Sequence, residues 1–283
     1  MRWLKVDLKH ICGLQIDYIT KINILDIIDS IVDAGHKKKA YDVFSVLRRI
    51  FLFATSKDFT NNNPTLKIDF KTVVGILPPV QNLPAIIDSR KLGQLICDID
   101  NSILGTFCTM EALKLIPRVF LRPSEVRNIK WEYIDFDKRL IYMPAEVMKS
   151  KRDHIVPMSK QVIKQLEYVF QHTNYSKFVF PSERSSNQPI SKNVLGNRLK
   201  ALGYDSTVMV AHGFRSTAST LLSEAGVEEN YIETQLAHLI GNATSRVYNR
   251  AKYLPQRKVM MQKWSDTLDS LRDKNDQQMI DSI

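Results

Sequence analysis

Ala211-His212-Gly213-Phe214-Arg215-Ser216-Thr217-Ala218-Ser219-Thr220-Leu221-Leu222 is the stretch on which the reading of this chain turns. Residues 212 to 225 carry a helical pattern, and residues three apart on a helix share a face, so His212 and Arg215 converge on one point. A lone histidine on a helical face is usually structural, because its two nitrogens are easily satisfied in packed surroundings. The pair gains meaning from what flanks it. Upstream stands Phe120-Leu121-Arg122-Pro123-Ser124-Glu125-Val126-Arg127. Pro123 suits a first helical position and places Arg122 at a helix N-terminus, a natural oxyanion site. Glu125 either orients Arg122 or complements the helix dipole. Downstream come Leu236-Ala237-His238 and, ten residues after His238, Tyr248 within Val247-Tyr248-Asn249-Arg250.

Further out, the pattern is mainly helical. A helix is expected over residues 24 to 34, with Leu25, Ile28 and Val32 on one face, Asn23 as N-cap and Gly35 as terminator. A longer one follows, with the apolar stripe Ala40, Val43, Leu47, Ile50, Phe51 and Ala54. Lys37, Lys38, Lys39, Arg48 and Arg49 surround that stripe with positive charge, as a solvated face or as a DNA contact. Between Thr60 and Asp88 the pattern fades, and Asn61-Asn62-Asn63-Pro64, Pro78-Pro79 and Pro84 break regular structure. Helices then resume, interrupted by strands at 140 to 143 and 154 to 158 that flank the basic turn Lys149-Ser150-Lys151-Arg152-Asp153. Further helices are expected near 159 to 172, 191 to 202, 212 to 225 and 228 to 237, before a terminal helix carrying Trp264, Leu268 and Leu271.

With 283 residues the chain is long enough for two compact units. Its 40 Lys+Arg against 30 Asp+Glu, a formal +10, favours a polyanionic partner. Nucleic acid and an acidic membrane surface share that sign, and so does a merely soluble basic protein. No run approaches the ~18 apolar residues of a membrane span, and the opening residues lack an apolar signal core. A cytoplasmic protein without membrane partners is expected. Cys12, Cys97 and Cys108 have neither zinc nor disulfide-framework spacing and read as buried thiols. No metal or other cofactor is expected.

The order Arg122, Lys149, His212-x-x-Arg215, His238, Tyr248 resembles the active-site series of tyrosine recombinases, the phage and prophage integrases in particular. The strings LRPSEVRNIKW, MKSKRDHIVPMS, AHGFRSTASTLL, QLAH and YNRAKYL carry the likeness over residues 100 to 255, in register. The stretch from about residue 14 to Asn63-Pro64 more loosely resembles the core-binding domain of the same proteins. The resemblance implies a mainly α fold: a helical, SAM-like core-binding domain at 1–75, a linker at 76–88, and a catalytic domain at 89–283 with a small antiparallel β-sheet. The pair would form a C-shaped clamp on duplex DNA. Nothing corresponds to the small arm-binding domain many integrases carry, and the core-binding domain looks N-terminally shortened, as in an excerpt or a reduced prophage gene. Phe120-Leu121 stand where a Gly-containing turn is common.

Each implied role also follows from phosphoryl-transfer chemistry. Arg122 and Arg215 suit negative charge on the two non-bridging oxygens. His238 adds a hydrogen bond to the same oxygens. Tyr248 is the expected nucleophile, with Tyr253 its rival, and His212 the candidate base. Lys149, with Lys151 as rival, would protonate the departing 5′ oxygen. Lys151 and Arg152 join the basic residues of the second helix as expected DNA contacts. The implied partners are double-stranded DNA at attachment sites, a homotetramer on that DNA, and accessory DNA-bending or directionality proteins. The terminal helix is a candidate for packing onto a neighbouring protomer or in cis. Two alternatives remain: a type IB topoisomerase-like enzyme, which shares the chemistry, and a non-catalytic DNA-binding protein, which suits the charge and has no need of Tyr248.

Overall fold

The computed structural model describes residues 6–77, 83–238 and 253–281, with side chains described as far as residue 275. The chain divides into two compact units, Met1–Gln81 and Asn82–Ile283.

The first unit is built on two helices, α1 (Lys21–Asp33) and α2 (Lys37–Ser56). Helix α1 begins earlier than its sequence pattern indicates. Thr20, and not Asn23, is the N-cap: its side chain accepts from the Asn23 N–H at 3.3 Å, while Asn23 Oδ1 accepts from the Thr20 N–H at 2.9 Å. Asn23 thus serves as the third residue of a capping box. Ile24, Ile27, Ile28 and Ile31 form the buried stripe of α1 and meet Ala40, Val43, Phe44, Leu47, Phe51 and Ala54 of α2. Burying each large aliphatic of this kind contributes about 1.5–3 kcal/mol. Ile50 does not join them. It lies at the edge of the stripe, 45% exposed.

The stretch beyond Thr60 is structured, contrary to its polar composition. Asn63, which read as part of a break, and Asp69 both act as caps. Asn63 Oδ1 accepts from the Thr65 N–H at 3.1 Å to start a 3-10 turn over Pro64–Lys67. Asp69 Oδ1 accepts from the Lys71 N–H at 3.2 Å to start α3 (Phe70–Val74). Phe70 then stacks on Phe44, ring centroids 5.2 Å apart, so this segment completes the core of the first unit. Cys12 is exposed, contrary to expectation, because Leu8 and Ile11 take the buried positions of its turn; Cys97 and Cys108 are buried.

The second unit forms around α5 (Phe107–Val119), which follows α4 (Ser89–Asn101). Leu113, Leu115, Ile116 and Val119 are fully or almost fully buried, and Thr109, Glu111 and Arg118 are buried with them, so α5 lies at the centre of its domain. Helix α6 (Pro123–Val126) is one turn long. A three-stranded antiparallel sheet follows in the order β1 (Ile134–Asp135), β2 (Leu140–Met143), β3 (His154–Pro157). Its register pairs Ile141 with Val156 and Met143 with His154, so residues 144–153 cross from β2 to β3 at one edge of the sheet. Then come α7 (Lys160–Thr173), a two-stranded sheet of β4 (Pro181–Ser182) and β5 (Ser185–Pro189) without a counterpart in the sequence expectations, α8 (Val194–Ala201), α9 (Gly213–Glu224) and α10 (Glu229–Gln235).

The terminal helix α11 (Leu254–Asp281) packs against its own domain from its first turns. Trp264 and Leu268 are buried in the domain's own core, and the Trp264 indole N–H donates to the Pro117 carbonyl at 2.8 Å. Gly93 makes this fit possible. A Cβ there would lie 2.4 Å from the Leu271 carbonyl oxygen, so only glycine lets α4 and α11 approach so closely.

Candidate active site

Phe120 ends α5 with φ 60°, in the left-handed region. That conformation costs a non-glycine residue about 1–2 kcal/mol. Phe120 is 1% exposed and meets the edge of the Trp264 ring, so burial of its side chain offsets the backbone cost. This explains how a phenylalanine stands where a glycine turn is common. The turn delivers Arg122 to the start of α6, with Pro123 in the first helical position.

Glu125 is 0% exposed and organises what lies around it. Its carboxylate accepts from the Arg122 backbone N–H at 2.8 Å, from Arg122 Nη1 at 3.0 Å and from the Lys149 backbone N–H at 3.2 Å. One buried carboxylate therefore holds the guanidinium of Arg122 and pins the loop that carries Lys149, whose side chain is exposed. Glu125→Gln keeps the shape but loses the charge that meets Arg122. Losing one hydrogen bond to a charged group costs about 1.5–3 kcal/mol, roughly 10- to 100-fold in rate if expressed at the transition state. A single-turnover DNA-cleavage assay on the folded variant should show a loss of that size. A variant within twofold of wild type would show that Arg122 and Lys149 hold their places without the carboxylate.

Arg215 projects from the first turn of α9 and is 4% exposed. Its Nη1 donates to the Phe120 carbonyl, and its Nη2 donates to the Leu236 carbonyl at 2.6 Å. Burial, and then the neighbouring Arg122, lower its pKa to about 10, so it remains a cation at neutral pH. His212 is the N-cap of α9 and is half-buried. Burial first, and then Arg215, Arg122 and Lys149, lower its pKa from the ordinary imidazole value. The three cations thus act on one neutral imidazole, which is free to accept a proton.

His238 follows α10 through Ala237, itself left-handed at φ 54°. Its Nδ1 lies 2.8 Å from Glu233 Oε2 and its Nε2 lies 3.2 Å from Arg215 Nη2. Since the guanidinium can only donate, Nε2 accepts in this arrangement and Nδ1 carries the proton toward Glu233. Arg122, Lys149, His212, Arg215 and His238 therefore share one neighbourhood. Tyr248 lies outside the described residues. Tyr253 is half-buried with its ring 5.1 Å from that of Tyr231.

Of the expected DNA contacts, Lys37, Lys38, Lys39, Arg48 and Arg49 belong to the first unit and Lys151 and Arg152 to the second. Lys37 and Arg48, about three turns apart, share a face of α2, and Arg49 beside them is exposed. Lys38 and Lys39 already pair with Asp42 and Asp7, each at 2.8 Å. Lys151 and Arg152 are exposed in the β2–β3 loop, Lys151 with φ 55°. Among the described residues, no group of three or more His, Cys, Asp or Glu side chains is placed to hold a metal ion. No described helix is long and apolar enough to cross a membrane. Sequence reasoning missed Glu233 and three buried polar residues behind the site, His154, Gln235 and Arg257. The burial of Gln235 and Arg257 comes from tertiary packing and leaves no signal in the local sequence.

Residues 97–254 match the phage integrase family. The chain is 35% identical over 223 residues to prophage integrase IntZ of Escherichia coli (strain K12), covering 78% of this chain and 53% of that protein. It is 32% identical over 264 residues to the integrase of Shigella phage Sf6, covering 91% of this chain and 66% of that one. The chain thus spans half to two thirds of the length of these relatives. A solved structure of a lambda integrase tetramer bound to a Holliday junction superposes with a TM-score of 0.62 at 16% identity, over 86% of this chain and 70% of that one, a likeness of fold. The family match covers more than half of the chain, and the fold, mainly helical with small antiparallel sheets, is the one this chain shares with that solved structure. This chain belongs to the phage integrase family.

Proposed function

We propose that this chain is a site-specific DNA recombinase, which cleaves and rejoins duplex DNA through a 3′-phosphotyrosine on Tyr248 in phage or mobile-element integration and excision. The observation that carries the reading is the shared neighbourhood of Arg122, Lys149, His212, Arg215 and His238, organised on the buried Glu125 carboxylate. Two guanidinium groups oppose the negative charge that grows on the non-bridging oxygens as the phenol oxygen attacks phosphorus. His238, whose Nε2 lies beside Arg215, adds a hydrogen bond to the same oxygens. His212, neutral before reaction, takes the phenol proton. Lys149 supplies a proton to the departing 5′ oxygen. The basic face of α2 and the loop residues Lys151 and Arg152 hold the phosphate backbone nearby.

In this reading residues 1–75 form the core-binding domain and 89–283 the catalytic domain. The relatives' names and the tetramer in the lambda integrase structure support the partners: duplex DNA at attachment sites, and a tetramer of this chain on two duplexes, with DNA-bending or directionality proteins as accessories. Work on DNA in a bacterial host makes the cytoplasm its place of action.

The test is a nicked suicide duplex incubated with the protein in excess chelator, followed by a two-duplex strand-exchange assay. A covalent protein–DNA band and exchanged strands are expected, because the two arginines supply the charge stabilisation. Adduct without exchange would identify a topoisomerase-like activity. Binding without adduct would identify a DNA-binding protein and overturn the enzymatic reading.

A further inference from the structure

The mechanism above uses His238 and gives no task to the carboxylate beside it, Glu233. Helix α10 ends in a turn that joins these two residues twice. The His238 N–H donates to the Glu233 carbonyl at 3.0 Å and the Ala237 N–H to the Thr234 carbonyl at 3.1 Å, the pairing of a Schellman turn with Leu236 as its C-cap. Ala237 takes the left-handed position of that turn, φ 54°, where glycine is usual. His238 is thereby carried back toward the last turn of α10, and its Nδ1 lies 2.8 Å from Glu233 Oε2. The other ring nitrogen, Nε2, lies 3.2 Å from Arg215 Nη2. That same Nη2 donates to the Leu236 carbonyl, so the end of α10 meets Arg215 with a backbone oxygen and an imidazole together.

Two features set this pair apart from a surface ion pair, which contributes little to stability. Glu233 stands in the last turn of α10, where the carbonyl end of a helix disfavours negative charge, and Ala237 holds a conformation that disfavours a side chain. Local rules broken side by side are expected where function sets the residue. The second feature is a chain of contacts that runs from carboxylate to imidazole to guanidinium. Which imidazole nitrogen carries the proton is set by the bond the other makes. With Nδ1–H given to Glu233, Nε2 accepts from Arg215 while the ring is neutral and becomes a donor for a phosphate oxygen when the ring is protonated. Only Nε2 changes its role. The charge of Glu233 also reaches Arg215, whose pKa is lowered by burial and then by Arg122, with Glu125 and then Glu233 opposing them. Each arginine thus has a carboxylate behind it: Glu125 binds Arg122 directly, and Glu233 reaches Arg215 through His238.

We propose that Glu233 is a positioning residue: it holds the His238 ring by Nδ1, so that Nε2 is kept toward Arg215 and the phosphate oxygens that Arg215 meets. This rests on the proposed function, in which His238 adds a hydrogen bond to those oxygens. It also runs against simple charge. A carboxylate near a phosphate site repels both the DNA and the charge that grows during reaction, so by its field alone its removal would strengthen binding and speed cleavage. A hold on His238 requires the opposite sign in the rate.

The test uses the full chain and a suicide duplex. At saturating DNA, Glu233→Ala should slow adduct formation roughly 10- to 100-fold, the size of one lost hydrogen bond to a charged group, with the half-saturating concentration unchanged or lower. Glu233→Gln, whose amide oxygen still accepts from Nδ1, should lose less. In a His238→Ala background the change Glu233→Ala should cost under about twofold more, because a residue that acts through His238 then has nothing to act on. A second readout needs no DNA. Ring-nitrogen NMR spectra of histidine-labelled protein in mildly alkaline solution, with the His238 signals found by their loss in His238→Ala, should place a proton on Nδ1, and that preference should weaken in Glu233→Ala. A Glu233→Ala rate within about twofold of the parent, losses that multiply in the double variant, or a His238 that carries its proton on Nε2 alone in the parent would each overturn the proposal. If Glu233→Ala does not fold, Glu233→Gln carries the same comparisons. Where His238→Ala is too slow to read, the ring spectra decide. A parent protein that forms no adduct would remove the proposed function instead, and the ring spectra alone would then judge the hold of Glu233 on His238.

Discussion

Tyr248→Phe is expected to bind its DNA site as the parent does and to form no covalent adduct, a loss limited only by the background of the assay. Phenylalanine keeps the ring and its packing and removes the oxygen that would bond to phosphorus, so binding and chemistry part cleanly. Uncleaved duplex should therefore shift in a native gel at the same protein concentration, while a denaturing gel of the suicide-substrate reaction stays empty. Tyr253→Phe is the matched control. Its ring stacks near Tyr231 beside the anchored root of α11, so the change should leave most of the adduct in place. If the bands were reversed, with Tyr248→Phe reactive and Tyr253→Phe silent, the nucleophile would be Tyr253. The assignment of Tyr248 comes from its order after His238 and from its string Tyr248-Asn249-Arg250, and this experiment puts that order to the question directly.

How far the sequence could be read depends on which signals are local. His212 and Arg215 were legible because helical spacing alone brings them together, and Pro123 marked the start of a helix by the one conformation proline favours. The loop that carries Lys149 was legible because polar residues separate two short apolar strands, whereas the choice of Lys149 over Lys151 came from the resemblance. Glu125 was visible as a partner of Arg122 three residues away. Its second bond, to the backbone of Lys149, was hidden, because nothing in either string fixes how α6 and the β2–β3 loop meet. The capping role of Asn63 was misread as a break, since the same side chains that end one element start the next. Arg257 and Gln235 were not legible at all. Their burial follows from the fit of α11 against β3 and α10, a tertiary outcome that periodicity does not encode.

The assignment of the proton donor is open to a sharper question than loss of activity, because the leaving group can be changed as well as the enzyme. Lys149→Ala should slow cleavage of ordinary DNA by about 10²–10⁴-fold, the usual contribution of a positioned general acid. A 5′-bridging phosphorothiolate departs as a thiolate, and thiols are far more acidic than alcohols, so that substrate needs little protonation. Lys149→Ala should accordingly recover most of its rate on the sulfur substrate. Arg122→Ala and Arg215→Ala should not recover, because they meet charge on the non-bridging oxygens, which the sulfur leaves unchanged. The structure adds a reason to prefer Lys149 over Lys151. The Lys149 backbone is pinned to Glu125, the carboxylate that also holds Arg122, whereas Lys151 sits two residues further along in a left-handed turn whose N–H donates to the Met148 carbonyl at 3.1 Å. The Lys149 backbone, bound by the same carboxylate as Arg122, keeps a fixed relation to that arginine. Lys151→Ala should then be mild on both substrates. Rescue of Lys151→Ala and not of Lys149→Ala would transfer the role to Lys151. Rescue of neither would move the donor off the loop, with His212, the imidazole that feels Arg215, Arg122 and Lys149 together, as the next group to change.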